Sequence, residues 1–156
     1  MKKIVCWLLV VACMVVIFCF SAQNGEESGK TSGGVVETVF SIFVPSFKEL
    51  DLDTKQQMIE SVHSFVRTAA HFSVFALLGF LVYIALDNYE IKHKILYSQA
   101  ISSGYAISDE IHQYFVPDRA FQVSDILVDS LGAVCGILFC LLVKTIIKKI
   151  KSKKTA

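Results

Sequence analysis

At 156 residues the chain is of a size for one domain, read here as 1–156. Its hydrophobic content of 54% and mean hydropathy of +0.57 exceed the roughly 45–50% apolar share of soluble domains. The net charge is +1, and the lysines flank apolar runs or gather in a short tail, which excludes a basic nucleic-acid surface.

The first apolar run covers residues 4–22, close to the roughly 20 residues a membrane span needs. Within it, Val10-Val11-Ala12-Cys13 is similar to a lipoprotein cleavage box. The run stays apolar past Cys13 to Phe20, whereas a cleaved signal turns polar near its cut, so an uncleaved span is expected. The five cysteines, Cys6, Cys13, Cys19, Cys135 and Cys140, all lie in apolar runs, which argues against a disulfide framework or a C-x-x-C site.

A long polar segment, residues 23–66, follows. Gly25 to Gly34 is rich in Gly and Ser and predicts a flexible loop. Val35, Val36, Val39, Phe40 and Phe43 recur at helical spacing and predict a short amphipathic helix lying on the bilayer or on the protein, ended by Pro45. Asp53 is placed to cap a second helix. Met58, Ile59, Val62, Phe65 and Val66 give that helix one apolar face, and it is expected to run on into the next span.

Three further spans are predicted at about 68–87, 95–111 and 123–147, the one at 95–111 being weakened by serines. The expected fold is therefore all-α: an integral membrane four-helix bundle with an external loop holding short amphipathic helices. If the spans alternate, Lys2, Lys3, Lys92, Lys94, Lys144 and the Lys-rich tail at 148–156 share one side. The excess of lysine near span ends makes that side cytoplasmic, with both termini inside. The acidic 23–66 segment is then external, in a multi-pass protein whose partners include membrane lipids.

Ionisable groups at span ends are costly and ask for a reason. His63, Arg67 and His71 are spaced to share one helix face. Asp109, Glu110, His112 and Gln113 end the third span, Asp125 and Asp129 begin the fourth, Arg119 lies between them, and Gln23 ends the first. Alternation brings all of them to the outer face. Ser98, Ser102, Tyr105, Asp109 and His112 form a polar stripe that must face the interior, since lipid cannot satisfy it. Gly132 and Gly136 form a G-x-x-x-G that permits close helix approach, within the chain or to a helix partner or second copy.

Asp109, Glu110 and His112, supported by His71 and Asp125, have the chemistry of general acid–base catalysis. Arg67 and Arg119 suit a phosphate or carboxylate, with Gln113 and Gln23 as further ligand-binding groups. There is no H-E-x-x-H, so no metal is expected; His71, His112 and Glu110 are the residues placed to hold one. No cofactor is expected, and no serine-nucleophile pattern is present. The rival reading is a non-catalytic scaffold or partner subunit whose charges form a structural ion-pair network.

At these residues the chain resembles the VanZ-like family of bacterial membrane proteins, over about residues 20–136. Phe20-Ser21-Ala22-Gln23 is similar to the family's F-S-x-Q, and Arg67-Thr68-Ala69-Ala70-His71-Phe72 to its R-K-x-x-H-F. Asp109-Glu110-Ile111-His112-Gln113 matches D-E-x-H-Q, and Phe115-Val116-Pro117-Asp118-Arg119 matches F-V-P-x-R. Residues 125–136 resemble D-x-x-x-N-x-x-G-x-x-x-G. Three positions depart: Thr68 stands for a common lysine, Asp118 for a frequent glycine in the turn, and Asp129 for a frequent asparagine. The resemblance implies a bacterial cell-membrane protein. It also implies an association with teicoplanin-type glycopeptide resistance, which suits an extracytoplasmic site for a cell-wall precursor or glycopeptide ligand. Whether such a site catalyses is left open.

Overall fold

The computed structural model describes residues 2–44, 47 and 50–155, without the side chains of 25–32, 60, 61, 63, 64, 154 and 155. Among the described residues the chain forms α-helices and no strand: α1 (Lys2–Ser21), α2 (Gly25–Phe43), α3 (Leu52–Asp87), α4 (Lys94–Tyr114) and α5 (Val123–Thr155).

Among the described residues, three stretches are long and apolar enough to cross a membrane: Lys2–Ser21, Phe65–Asp87 and Val123–Lys153. α4 has the length of a span, but its serines and its Asp109-Glu110 pair keep it out of that group. The apolar surface is displayed outward, as a lipid-facing chain requires. Leu8, Leu9, Val15 and Phe18 of α1 and Leu127, Leu131, Leu138, Phe139 and Leu142 of α5 are all about half exposed or more. The chain is a membrane protein by this pattern.

α1, α3, α4 and α5 alternate in direction. Near one end, Asn88 Nδ2 at the close of α3 donates to Cys6 Sγ of α1 (3.4 Å), while Lys94 of α4 and Lys144 of α5 both reach Asp87. Near the other, Ser21 of α1 meets Asp109 of α4, and His71 of α3 faces Asp129 of α5. The lysine positions noted in the sequence thus gather at the first end and the polar motifs at the second. Between them lies a core of Val10, Cys13, Ile17, Phe75, Leu78, Val82, Ala85 and Ala106 from α1, α3 and α4.

The most extensive pairing is α3 with α5. It is set by glycine. A Cβ at Gly136 would overlap the carbonyl oxygen of Ala76, one at Gly132 that of Phe72, and one at Gly79 the backbone of Ala133. The close approach offered by the G-x-x-x-G is therefore used within the chain, against α3.

The outer segment differs from the sequence reading in two ways. Residues 25–34 are not a loop; they form the first half of α2. Glycine costs a helix about 1 kcal/mol per residue, and packing of α2 on α3 outweighs that: Gly33 lets Ile59 approach to 3.2 Å of where its Cβ would be. Val36 is buried and Phe40 packs on Phe47 (ring centroids 5.3 Å apart), while Val35, Val39 and Phe43 remain exposed. Pro45, the expected stop, lies outside the described residues. The cap of α3 is Asp51, not Asp53: Asp51 accepts from the Thr54 N–H (2.9 Å) and hydroxyl (2.8 Å), and Asp53 falls in the first turn. As expected, α3 runs unbroken from there to the end of its apolar stretch.

Candidate functional site

Asp109 is the hub of the polar end. It is 3% exposed, three turns along the stripe from Ser98 and two from Ser102, both of which are fully buried. Its Oδ2 accepts from Ser21 Oγ and from Gln113 Nε2, each at 2.8 Å. Gln113 Oε1 in turn accepts from Arg119 Nη1 at 3.0 Å. A chain of hydrogen bonds therefore runs from the end of α1, through α4, to the α4–α5 connection.

That connection is held by its own backbone. Asp118 takes a left-handed conformation (φ 60°), the geometry of the glycine that the motif favours at this place. Glu110, 2% exposed, accepts from the Gln122 N–H at 2.6 Å, which ties α4 to the start of α5. Burial, and then the neighbouring positive charge of Arg67, hold the Arg119 guanidinium below its ordinary pKa.

Arg67 is one-third exposed and only loosely paired, 3.9 Å from Asp125. His71 Nδ1 stands 3.6 Å from Asp129 Oδ2, just outside hydrogen-bond range. His112 stacks on Phe18, ring centroids 4.3 Å apart, and its Nε2 is buried without a hydrogen-bond partner.

Beside this cluster a cavity of about 330 Å³ opens between α1, α2 and α3. Its walls are Ile17, Phe20, Val35, Val66, Ala70, Val74 and Phe75, and its polar groups are Gln23, Arg67 and His71. The volume is at the lower end of the range for small-ligand pockets.

The candidate residues thus divide. Gln23, Arg67 and His71 line the cavity; Asp109, Gln113 and Arg119 form one hydrogen-bonded chain; Glu110 is engaged with backbone; Asp125 reaches toward Arg67; His112 is turned onto Phe18. The His63 side chain lies outside the described residues. The trio His71, His112 and Glu110 is not the group the fold gathers for a metal. Among the described residues, His71, Asp109 and Asp129 are gathered instead, with one ligand atom of each within 4.8 Å of the others.

Ser21 and Asp129 carry roles that spacing alone did not assign. Both stand in the quoted motifs, but only the meeting of α1 with α4 and of α3 with α5 shows what they face.

A family model described as VanZ/LLP1 matches residues 6–144, most of the chain. No curated protein and no solved structure gives a significant match.

Proposed function

The chain belongs to the VanZ/LLP1 family, and on that premise we propose that its polar end binds an anionic, lipid-linked ligand at the outer leaflet of a bacterial cell membrane. The carrying observation is the cavity: apolar walls from three helices with Arg67, His71 and Gln23 at one side. An acyl or prenyl chain suits the walls, and a phosphate suits Arg67 with Arg119 beyond it.

In this reading α4 crosses with α1, α3 and α5 as a four-helix bundle, and α2 with the start of α3 forms the external segment. The clustering of Lys94 and Lys144 about Asp87, with Lys3 over the Tyr89 ring, supports a cytoplasmic assignment for that end and for both termini. Sequestering a cell-wall precursor outside the membrane contributes to teicoplanin-type resistance, because that is where glycopeptides act. Asp109, Glu110 and His112 lie beside the cavity rather than on its walls, and any acid–base step falls to them.

The test is retention of a diphosphate-linked prenyl cell-wall precursor by purified protein in nanodiscs, read by native mass spectrometry. Wild type retains it, and Arg67→Ala weakens retention at least about tenfold, the loss of roughly 1.4 kcal/mol. Equal retention of a neutral diacylglycerol, or no change in Arg67→Ala, overturns the proposal. Conversion of the precursor during incubation places the protein among enzymes; intact recovery places it among binding proteins.

The scaffold reading has one observation in its favour: the Ser21–Asp109–Gln113–Arg119 chain joins α1, α4 and the following turn without any ligand. It predicts that Arg119→Ala lowers the amount of folded protein and leaves retention per molecule unchanged.

A further inference from the structure

We propose that His71, Asp109 and Asp129 form a binding site for one divalent transition-metal ion, Zn²⁺ or Mn²⁺. The three come from three different helices, α3, α4 and α5, and present one ligand atom each within 4.8 Å of one another. One imidazole with two carboxylates is a donor set suited to these ions.

The second observation is independent of that spacing. Asp109 and Asp129 are each 3% exposed, and Oδ1 of each is buried without a hydrogen-bond partner. A buried carboxylate oxygen left without a partner is costly, more so when charged. His71 Nδ1 stops 3.6 Å from Asp129 Oδ2, beyond a hydrogen bond. A divalent ion supplies the positive charge that two buried aspartates lack in the low-dielectric interior. A metal about 2.1 Å from each donor holds them roughly 3.4 Å apart, so the donors close by up to about 1.4 Å from their present spacing.

The surroundings are those of ligands held in place. Asp109 Oδ2 is fixed by Ser21 and Gln113, which leaves Oδ1 for the ion. Such outer partners orient metal ligands and are worth about 10–100-fold in affinity. The Asp129 position, where the motif favours asparagine, supplies the second carboxylate here. The site adjoins the cavity through His71 but does not depend on any lipid ligand.

The experiment uses the full chain in detergent, stripped with chelator and titrated with ZnCl₂ or MnCl₂ alone. Bound metal is read by inductively coupled plasma mass spectrometry and stability by thermal unfolding. The expected result is about one equivalent bound, with a rise in unfolding temperature that chelator reverses. Asp129→Asn abolishes both effects, Ser21→Ala weakens binding at least about tenfold, and Asp125→Asn leaves both unchanged. Failure of the stripped wild type to take up either ion overturns the proposal. So does unchanged uptake in Asp129→Asn. Because wild type alone decides the first outcome, misfolding of a variant does not protect the idea. Lipid retention without metal uptake separates the failure of this site from that of the lipid reading.

Discussion

Where α3 ends, Asp87 sits between Lys94, 2.6 Å from its Oδ1, and Lys144, bonded to its Oδ2. Lys3 lies 4.4 Å from the centre of the Tyr89 ring nearby, and Lys144 lies over Tyr83. At the opposite end three acidic side chains, Asp109, Glu110 and Asp129, are almost fully buried. No lysine or arginine within ion-pair distance is described for any of them; Arg67 faces Asp125 and Arg119 bonds Gln113. The same chain therefore shows what a closed ion-pair lock looks like and then, about 15 residues away along each helix, departs from it. Carboxylates kept inside without cations are costly, and that cost is what separates the second end from the first.

The comparison is tested hardest where both ends are joined. Gly136→Leu drives a side chain into the Ala76 backbone and separates α5 from α3. A loss of about 3 kcal/mol is expected, the upper part of the range for overpacking, read as reduced folded protein after denaturant titration. If the variant is as stable as wild type, the two ends are not held together by that seam.

Next come the two aspartates themselves. Asp109→Leu strands the donors of Ser21 and Gln113 and is expected to cost about 2 kcal/mol, unaffected by salt. Asp87→Leu frees two partly exposed lysines and is expected to cost about 1 kcal/mol, shrinking as salt is raised. Equal losses with equal salt dependence would remove the contrast between the ends.

Asp118→Gly is a smaller change with the opposite sign. The residue sits at φ 60°, where a Cβ is strained by about 1–2 kcal/mol, part of which glycine returns as unfolded-state entropy. A net gain of about 0.5 kcal/mol in thermal unfolding is expected. Destabilisation would show that the Asp118 side chain, not only its backbone, holds the turn.

The smallest effect is at the start of α3. Its two bonds to Thr54 hold the fully exposed Asp51 carboxyl below its ordinary range. A folded-state pKa below the unfolded one gives stability that is present above the unfolded pKa and lost as pH falls through the folded one. Amides 52–55 should therefore exchange faster relative to Asp51→Asn, a cap that does not titrate, as pH drops below about 4. No difference between the two proteins would remove the cap from this account.

Much of the molecule is legible in one dimension. Apolar runs gave the three membrane-length helices, and the serine stripe Ser98–Ser102–Asp109 is buried as its spacing requires. The lysines gather at one end and the motif residues at the other because alternation of long helices forces both. Hydropathy and helical period are properties of neighbouring residues, so sequence alone determines them.

The rest depended on how helices meet. Gly25–Gly34 is helical in an α2 that packs on α3, and propensity cannot register a partner distant in sequence. The G-x-x-x-G announced a close approach, yet only packing shows that α3 takes it. Which carboxylate stands beside which histidine was settled the same way. It depends on the rotation and depth of α3, α4 and α5 relative to one another, fixed by contacts such as Gly132 on Phe72. Hence His71 meets Asp109 and Asp129, while His112, two residues after Glu110, turns onto Phe18.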